Sequence, residues 1–91
     1  MKIKVTQVHI DLGKKENCIL CPIALAFLDL GYKEIHVYRE FVLADELAFD
    51  LPDNARVFID DFDCDRHVEP FEFKIEATRT EYPLNPLEGI V

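Results

Sequence analysis

The sequence predicts a small α+β domain, in which a mostly antiparallel sheet of three to four strands packs against two main helices and a short N-terminal helix. Two patterns carry this prediction. Residues 71–77 alternate apolar and polar side chains, which is typical of a strand with one buried face. Residues 22–30 are apolar except at Asp29, which indicates a buried helix. Because a half-buried strand and a buried helix each need a covering layer, we expect the two to pack against each other.

The buried helix has recognisable ends. Pro22 suits the first helical position, because its missing N–H would have no intrahelical partner there. Gly31 suits the left-handed position just past the last turn. Cys21 is then the N-cap residue, and Cys18 lies one turn upstream.

The N-terminal part of the chain predicts one strand and one short helix. Residues 2–5 alternate polar and apolar side chains, as a strand with one inward face does. Thr6 is the predicted N-cap of a helix that runs through Leu12 and stops at Gly13. A polar loop over residues 14–17 then leads into the buried helix.

The remaining elements follow from composition and spacing. Residues 35–44 are rich in β-branched and aromatic side chains and predict either a hairpin that turns at Arg39 and Glu40 or one long bent strand. Residues 53–62 predict the second long helix, with its phenylalanines facing the sheet. The periodicity ends after residue 77, so we expect a single domain over residues 1–78 and an extended or disordered tail over residues 79–91.

Bulk composition excludes several classes of protein. The 91 residues suffice for one core, and no apolar run approaches the ~20 residues of a membrane span. Three cysteines in a chain whose first residues do not resemble a signal peptide argue against a disulfide framework and for the cytoplasm. A formal net charge of −8 opposes binding to long nucleic acids, whose affinity comes mainly from phosphate neutralisation.

Four residues offer a possible zinc site. Cys18 and Cys21 have C-x-x-C spacing, and Cys64 with His67 supplies a second pair, so a Cys3His site is arithmetically available. The preferred interpretation is structural cysteines, because Cys21 starts an apolar helix and the second pair lies in an acidic loop without a glycine-rich knuckle.

The acidic run at 61–65 offers a possible calcium site. Together with Val68 and Glu72 it reproduces most of the EF-hand ligand pattern, but Arg66 occupies the position that normally requires glycine. A solvated acidic loop is the preferred interpretation. We therefore expect no metal and no cofactor.

The chain also lacks the common catalytic motifs. It has no glycine-rich phosphate loop and no G-x-S-x-G elbow. A catalytic thiol would need an activating base, and His9 is the nearest histidine in sequence. The sequence therefore predicts a binding protein rather than an enzyme.

Five residues are candidates for ligand binding. Lys14 and Lys15 precede the buried helix, whose N-terminal N–H groups and dipole favour phosphate or carboxylate. Arg39 offers a planar guanidinium to a phosphate or a base, and Tyr38 and Phe71 offer rings for stacking on a nucleobase. The alternatives are two solvated loop lysines and two aromatic residues of the core.

Several short motifs follow one another in a fixed order between about residue 6 and residue 75. They are T-Q-x-H-I at 6–10, Gly13, C-x-x-C-P-I-A-L-A at 18–26, F-I-x-x-F-D at 58–63 and V-E-P-F-E-F at 68–73. This ordered spacing resembles a widespread family of small bacteriophage and prophage proteins.

The resemblance implies a function in immune evasion. Small phage proteins of this kind often act against host defence, and one class comprises oligomeric sponges that sequester the cyclic-oligonucleotide signals of CBASS defence. A protein similar to that class would be a homo-oligomer in the host cytoplasm that binds a cyclic dinucleotide without degrading it. The alternative is an acidic protein-interaction module that inhibits a host protein. A small zinc- or thiol-dependent protein is the third possibility.

Overall fold

The structure, a computed structural model, describes residues 1–79. These residues form three helices and six strands, in the order β1 (Lys2–Val5), α1 (Gln7–Leu12), α2 (Pro22–Asp29), β2 (Ile35–Val37), β3 (Phe41–Ala44), β4 (Leu47–Asp50), α3 (Asp53–Asp63), β5 (Phe71–Lys74) and β6 (Ala77–Arg79). The fold is α+β, as predicted. Arg79 ends β6, and the rest of the tail predicted over residues 79–91 lies outside the described residues.

The strands pair antiparallel and divide between two sheets. The larger sheet has four strands in the order β2-β3-β4-β6, and the smaller consists of β1 and β5. In the smaller sheet Ile3 pairs with Phe73, and in the larger Val42 pairs with Phe49. In the smaller sheet the alternating pattern of β1 is confirmed, because Ile3 and Val5 are buried and the lysines that alternate with them are exposed.

The stretch predicted as one strand over residues 71–77 is divided between the two sheets. Phe71–Lys74 pairs with β1, and the pairing ends where Met1 and Ile75 exchange backbone hydrogen bonds of 2.8 Å. The chain leaves this sheet after Ile75. Ala77–Arg79 then pairs with the edge of β4.

The larger sheet contains one hairpin that was predicted and one strand that was not. Residues 35–44 form the hairpin rather than a bent strand, with Tyr38 N–H donating to the carbonyl of Phe41 across the turn. A second turn at Asp45 and Glu46 leads into β4, which the sequence analysis missed. Consecutive buried residues in β4 hide the period-2 pattern by which a strand is recognised.

α2 has the predicted ends and the predicted position in the core. Cys21 is its N-cap, Pro22 is its first residue, and Gly31 follows its last turn with φ of 105°. α2 contacts both β1 and β2, and its Phe27 is fully buried, with its ring centroid 5.7 Å from that of Phe49. α2 therefore joins the two sheets.

Gly13 permits a close approach between α1 and α2. A Cβ atom at this position would lie 2.6 Å from Cδ of Pro22, which is closer than real Cβ contacts allow.

Within residues 1–79, no helix is both long enough and apolar enough to cross a membrane.

Candidate ligand-binding site

A cavity of about 260 Å³ opens where the start of α2, the β2–β3 turn and the C-terminal half of α3 meet. Its apolar side chains come from all three elements: Cys21, Ile23, Val37, Phe58, Ile59 and Phe62. Its polar side chains come from the loop before α2, from the β2–β3 turn and from the end of α3: Glu16, Asn17, Cys18, Tyr38, Arg39 and Asp63. The cavity is therefore apolar with several polar groups, the composition usual for small-molecule sites.

Backbone hydrogen bonds fix the loop that forms one wall of this cavity. The Asn17 side-chain oxygen accepts from the N–H groups of Ile19 and Leu20 at 3.1 and 3.0 Å. The N–H of Val37 donates to the carbonyl of Cys18 at 2.7 Å, which attaches the loop to the edge of β2. These three hydrogen bonds hold the wall against β2.

Cys21, the N-cap residue of α2, carries a buried thiol. Burial raises the pKa of this thiol, and the N–H groups of Ala24 and Ile23, which favour the thiolate, offset only part of that effect. The charges of Asp63 and Cys18 also act to raise the pKa. Cys21 is therefore protonated at neutral pH and packs as a small apolar side chain, as the structural interpretation of this cysteine predicts.

The charged groups at the rim of the cavity are held by short hydrogen bonds. Arg39 Nη2 donates to Asp60 Oδ1 at 2.6 Å, which connects the β2–β3 turn to α3. Asp63 Oδ1 accepts from the backbone N–H of Glu16 at 2.9 Å. Of the described residues that line the cavity, Arg39 is the only arginine or lysine, and the acidic lining residues are Glu16 and Asp63.

The structure brings together two of the five predicted ligand residues. Tyr38 and Arg39 both line the cavity, and the Tyr38 ring stacks on that of Phe41 with centroids 4.9 Å apart. Lys15 lies elsewhere: it forms an ion pair with Asp65 and lines a neighbouring hollow. Lys14 is exposed and lines neither space.

Phe71, the fifth candidate, belongs to the aromatic packing beneath the site. Its ring stacks on those of Phe58 and Phe73 at 4.7 and 5.4 Å, and it is half-buried. It lines neither of the two hollows, so it supports the cavity through Phe58 and does not reach into it.

Sequence analysis missed the contribution of α3 to the cavity. Phe58 and Phe62 were expected to face the sheet, and Asp63 was considered only as a calcium ligand. Phe58 and Phe62 lie four residues apart and therefore share one helix face, which is a local pattern. That this face meets the start of α2 is a tertiary fact, which local spacing does not encode.

The possible metal ligands do not converge. Within residues 1–79, no three His, Cys, Asp or Glu side chains are placed to hold a metal ion. His67 pairs with Glu69 at 2.5 Å, and Asp61 pairs with Arg66 at 2.8 Å. Cys18, Cys21 and Cys64 are free thiols.

His9 is engaged at both ring nitrogens. Nδ1 accepts from the N–H of Thr6 at 2.9 Å, so Nε2 carries the proton and donates to Asp29 Oδ2 at 2.6 Å. The ring is buried. His9 therefore stabilises the contact between α1 and α2, and the structure gives no support to a role in activating a cysteine.

No protein-family model, curated protein or solved structure matches this chain significantly. The resemblance to bacteriophage proteins consequently stays a prediction.

Proposed function

We propose that this protein binds and sequesters a cyclic dinucleotide, such as cyclic GMP-AMP, without cleaving it, as part of phage evasion of host defence. The observation that carries the proposal is the cavity at the start of α2, with aromatic side chains inside and Arg39 at its rim. Aromatic and aliphatic surfaces suit the faces of a nucleobase, and a guanidinium suits a phosphate.

The size of the cavity favours a site completed by a second copy of the chain. A volume of about 260 Å³ lies just below the roughly 300–1,000 Å³ usual for ligand sites, so the cavity of one copy is small for a whole cyclic dinucleotide. Tyr38, which lines the cavity, and Ile19, which follows the lining residue Cys18 in the chain, are exposed. A two-fold ligand across a two-fold interface would cover these side chains and meet each donor twice.

Electrostatics set a constraint on this binding. A ligand with two phosphates approaches a chain whose formal net charge is −8, and Arg39 already pairs with Asp60. Because this pair is exposed, its Coulomb energy is small, and a phosphate can replace the carboxylate at modest cost. Arg39 is therefore the residue on which affinity depends most.

The test is calorimetry with a panel of cyclic di- and trinucleotides against the wild type and the variants Arg39→Gln and Lys33→Gln. Both substitutions remove one positive charge from an exposed side chain, but Lys33 does not line the cavity. We expect Arg39→Gln to weaken binding about tenfold or more, because a charge-assisted hydrogen bond is lost, and Lys33→Gln to bind like the wild type.

Two outcomes would contradict the proposal. Failure to bind any member of the panel would favour the protein-interaction module. Release of a linearised nucleotide after incubation and heating would identify an enzyme.

The second candidate, a module that inhibits a host protein, is favoured by the surface of α1. Val8 and Leu12 lie one turn apart on this helix and are 61% and 67% exposed. Exposed aliphatic neighbours of this kind suit a protein partner. The test is inhibition of a captured host enzyme by the wild type, compared with a Val8→Ser/Leu12→Ser double variant, which should lose the inhibition.

A further inference from the structure

We infer that Asp63 makes the cavity selective for guanine, an inference that rests on the nucleotide-binding function proposed above. Asp63 is the last residue of α3, is half-buried and lines the cavity. The backbone N–H of Glu16 donates to its Oδ1, so its carboxylate is held from the opposite wall.

Asp63 differs from its acidic neighbours in its partner. Asp60 pairs with Arg39, Asp61 pairs with Arg66, and Asp65 pairs with Lys15. Asp63 instead accepts a hydrogen bond from the neutral backbone amide of Glu16. Within residues 1–79 no cationic side chain pairs with Asp63, so its negative charge attracts N–H donors that enter the cavity.

Guanine is the base whose edge matches a carboxylate. Its N1–H and N2–H2 groups are adjacent donors, which can meet the two oxygens of one carboxylate as a guanidinium does. Adenine and cytosine each place an acceptor nitrogen beside their amino group, so one carboxylate oxygen would face a lone pair. Uracil offers one N–H between two carbonyl acceptors. Only guanine satisfies both oxygens of Asp63 without repulsion.

Phe58, Phe62 and Arg39 are compatible with a guanine whose N1–H and N2–H2 groups point toward Asp63. Phe58 and Phe62 stack nearly parallel, with an interplanar angle of 6°, and both line the cavity with apolar surface suited to the face of a purine. Arg39 comes from a different element than Asp63, so a phosphate bound by Arg39 need not approach the carboxylate. The base and the phosphate of one nucleotide thus have separate partners.

The test compares cyclic di-GMP, cyclic di-AMP and the xanthine analogue of cyclic di-GMP by calorimetry. We expect the wild type to bind the guanine ligand about tenfold to a hundredfold more tightly than the adenine ligand, the discrimination typical of a bidentate contact. Xanthine carries a carbonyl where guanine has its amino group, so the wild type should also reject it.

The decisive variant is Asp63→Asn. An amide can accept from N1–H and donate to the xanthine carbonyl, so this variant should lose its preference for guanine and prefer the xanthine ligand. Structural damage would weaken both ligands and would not exchange their order. The change is tolerable for folding, because it removes a negative charge from the C-terminal end of a helix. Asp65→Asn, with the same change in charge outside the cavity, should keep the guanine preference.

The outcomes separate this inference from the proposed function. Equal affinity for guanine and adenine ligands, or a guanine preference that persists in Asp63→Asn, would overturn the role of Asp63 and leave sequestration standing. If the protein bound neither these ligands nor any member of the wider cyclic-nucleotide panel, both the role of Asp63 and the proposed sequestration would be overturned.

Discussion

His9 connects two helices through a single buried ring. Thr6 and His9 form a capping box at the start of α1, in which His9 takes the place more often held by Glu or Gln. The other ring nitrogen reaches Asp29 at the end of α2. The orientation of α1 relative to α2 therefore depends on one side chain that accepts at one nitrogen and donates at the other.

Two substitutions of His9 measure how much its capping hydrogen bond contributes to the free energy of unfolding. We expect His9→Ala to lower the free energy of unfolding by about 1–3 kcal/mol, because the Thr6 N–H loses its acceptor and the contact with Asp29 is removed. His9→Gln should recover part of that loss, since glutamine at this helix position can also accept from the N-cap N–H. Urea denaturation of both variants measures the difference. Equal losses would show that the capping contact contributes nothing.

Phe73 is a buried aromatic residue of the core, and its replacement tests the packing there. It is 3% exposed, pairs with Ile3 and stacks on Phe71. We expect Phe73→Ala to lower the free energy of unfolding by about 3–5 kcal/mol, the cost of a large cavity in a packed core. Val57→Ala, at an exposed position of α3, should change it by less than about 0.5 kcal/mol. A near-neutral Phe73→Ala variant would contradict the packing described here.

Asp45 stabilises the turn between β3 and β4. It adopts a left-handed conformation, with φ of 55°, and its Oδ1 accepts from the N–H groups of Lys33 and Glu34. The N–H of Glu34, followed by that of Lys33, lowers the pKa of this carboxyl below its ordinary value. The ionised form therefore contributes to the stability of the hairpin.

This shift predicts how the contribution changes with pH. Because the pKa of Asp45 is lower in the folded state, the stabilisation is fully present above the unfolded pKa of about 3.9 and is lost as the pH falls through the folded pKa. Asp45→Asn keeps a residue that tolerates the left-handed conformation but removes the charge. The stability difference between wild type and variant should be constant above about pH 5 and shrink below about pH 4. A difference that grows on acidification would reverse the assigned sign.

Local signals predicted the elements whose ends are set by nearby residues. Thr6 with Gly13 bounded α1, and Cys21–Pro22 with Gly31 bounded α2. β4 was missed because the turn before it is stabilised by an aspartate that binds backbone about a dozen residues upstream. The division of the last predicted strand likewise depends on its pairing with two different strands, β1 and β4, which is not encoded in the alternating pattern itself.

The candidate site was predicted only where it lies within one segment. Tyr38 and Arg39 are adjacent in sequence, and both line the cavity. Asp63 and Phe62 reach the same space from α3, more than twenty residues away. Lys15 was expected near the start of α2, but its ion pair with Asp65 holds it beside the neighbouring hollow. Sites built from several segments depend on tertiary packing, which short motifs do not specify.

At the scale of the whole molecule, charge and exposed apolar surface favour different partners. The formal net charge of −8 disfavours anionic ligands unless a local donor such as Arg39 is available. Exposed aliphatic side chains on α1 and in the loop before α2 favour a protein partner, and a second copy of this chain at the cavity would cover those of the loop. The proposed sponge requires both features at once: an oligomer and a bound anion.

Native mass spectrometry of the purified protein tests that combination most directly, because it reports oligomer mass, bound metal and co-purified nucleotide in one spectrum. We expect an oligomer that carries an intact cyclic dinucleotide, added or co-purified, and no stoichiometric metal. A monomer that remains unliganded in the presence of the cyclic-nucleotide panel would contradict the proposed function, and a stoichiometric zinc ion would favour the zinc-dependent alternative.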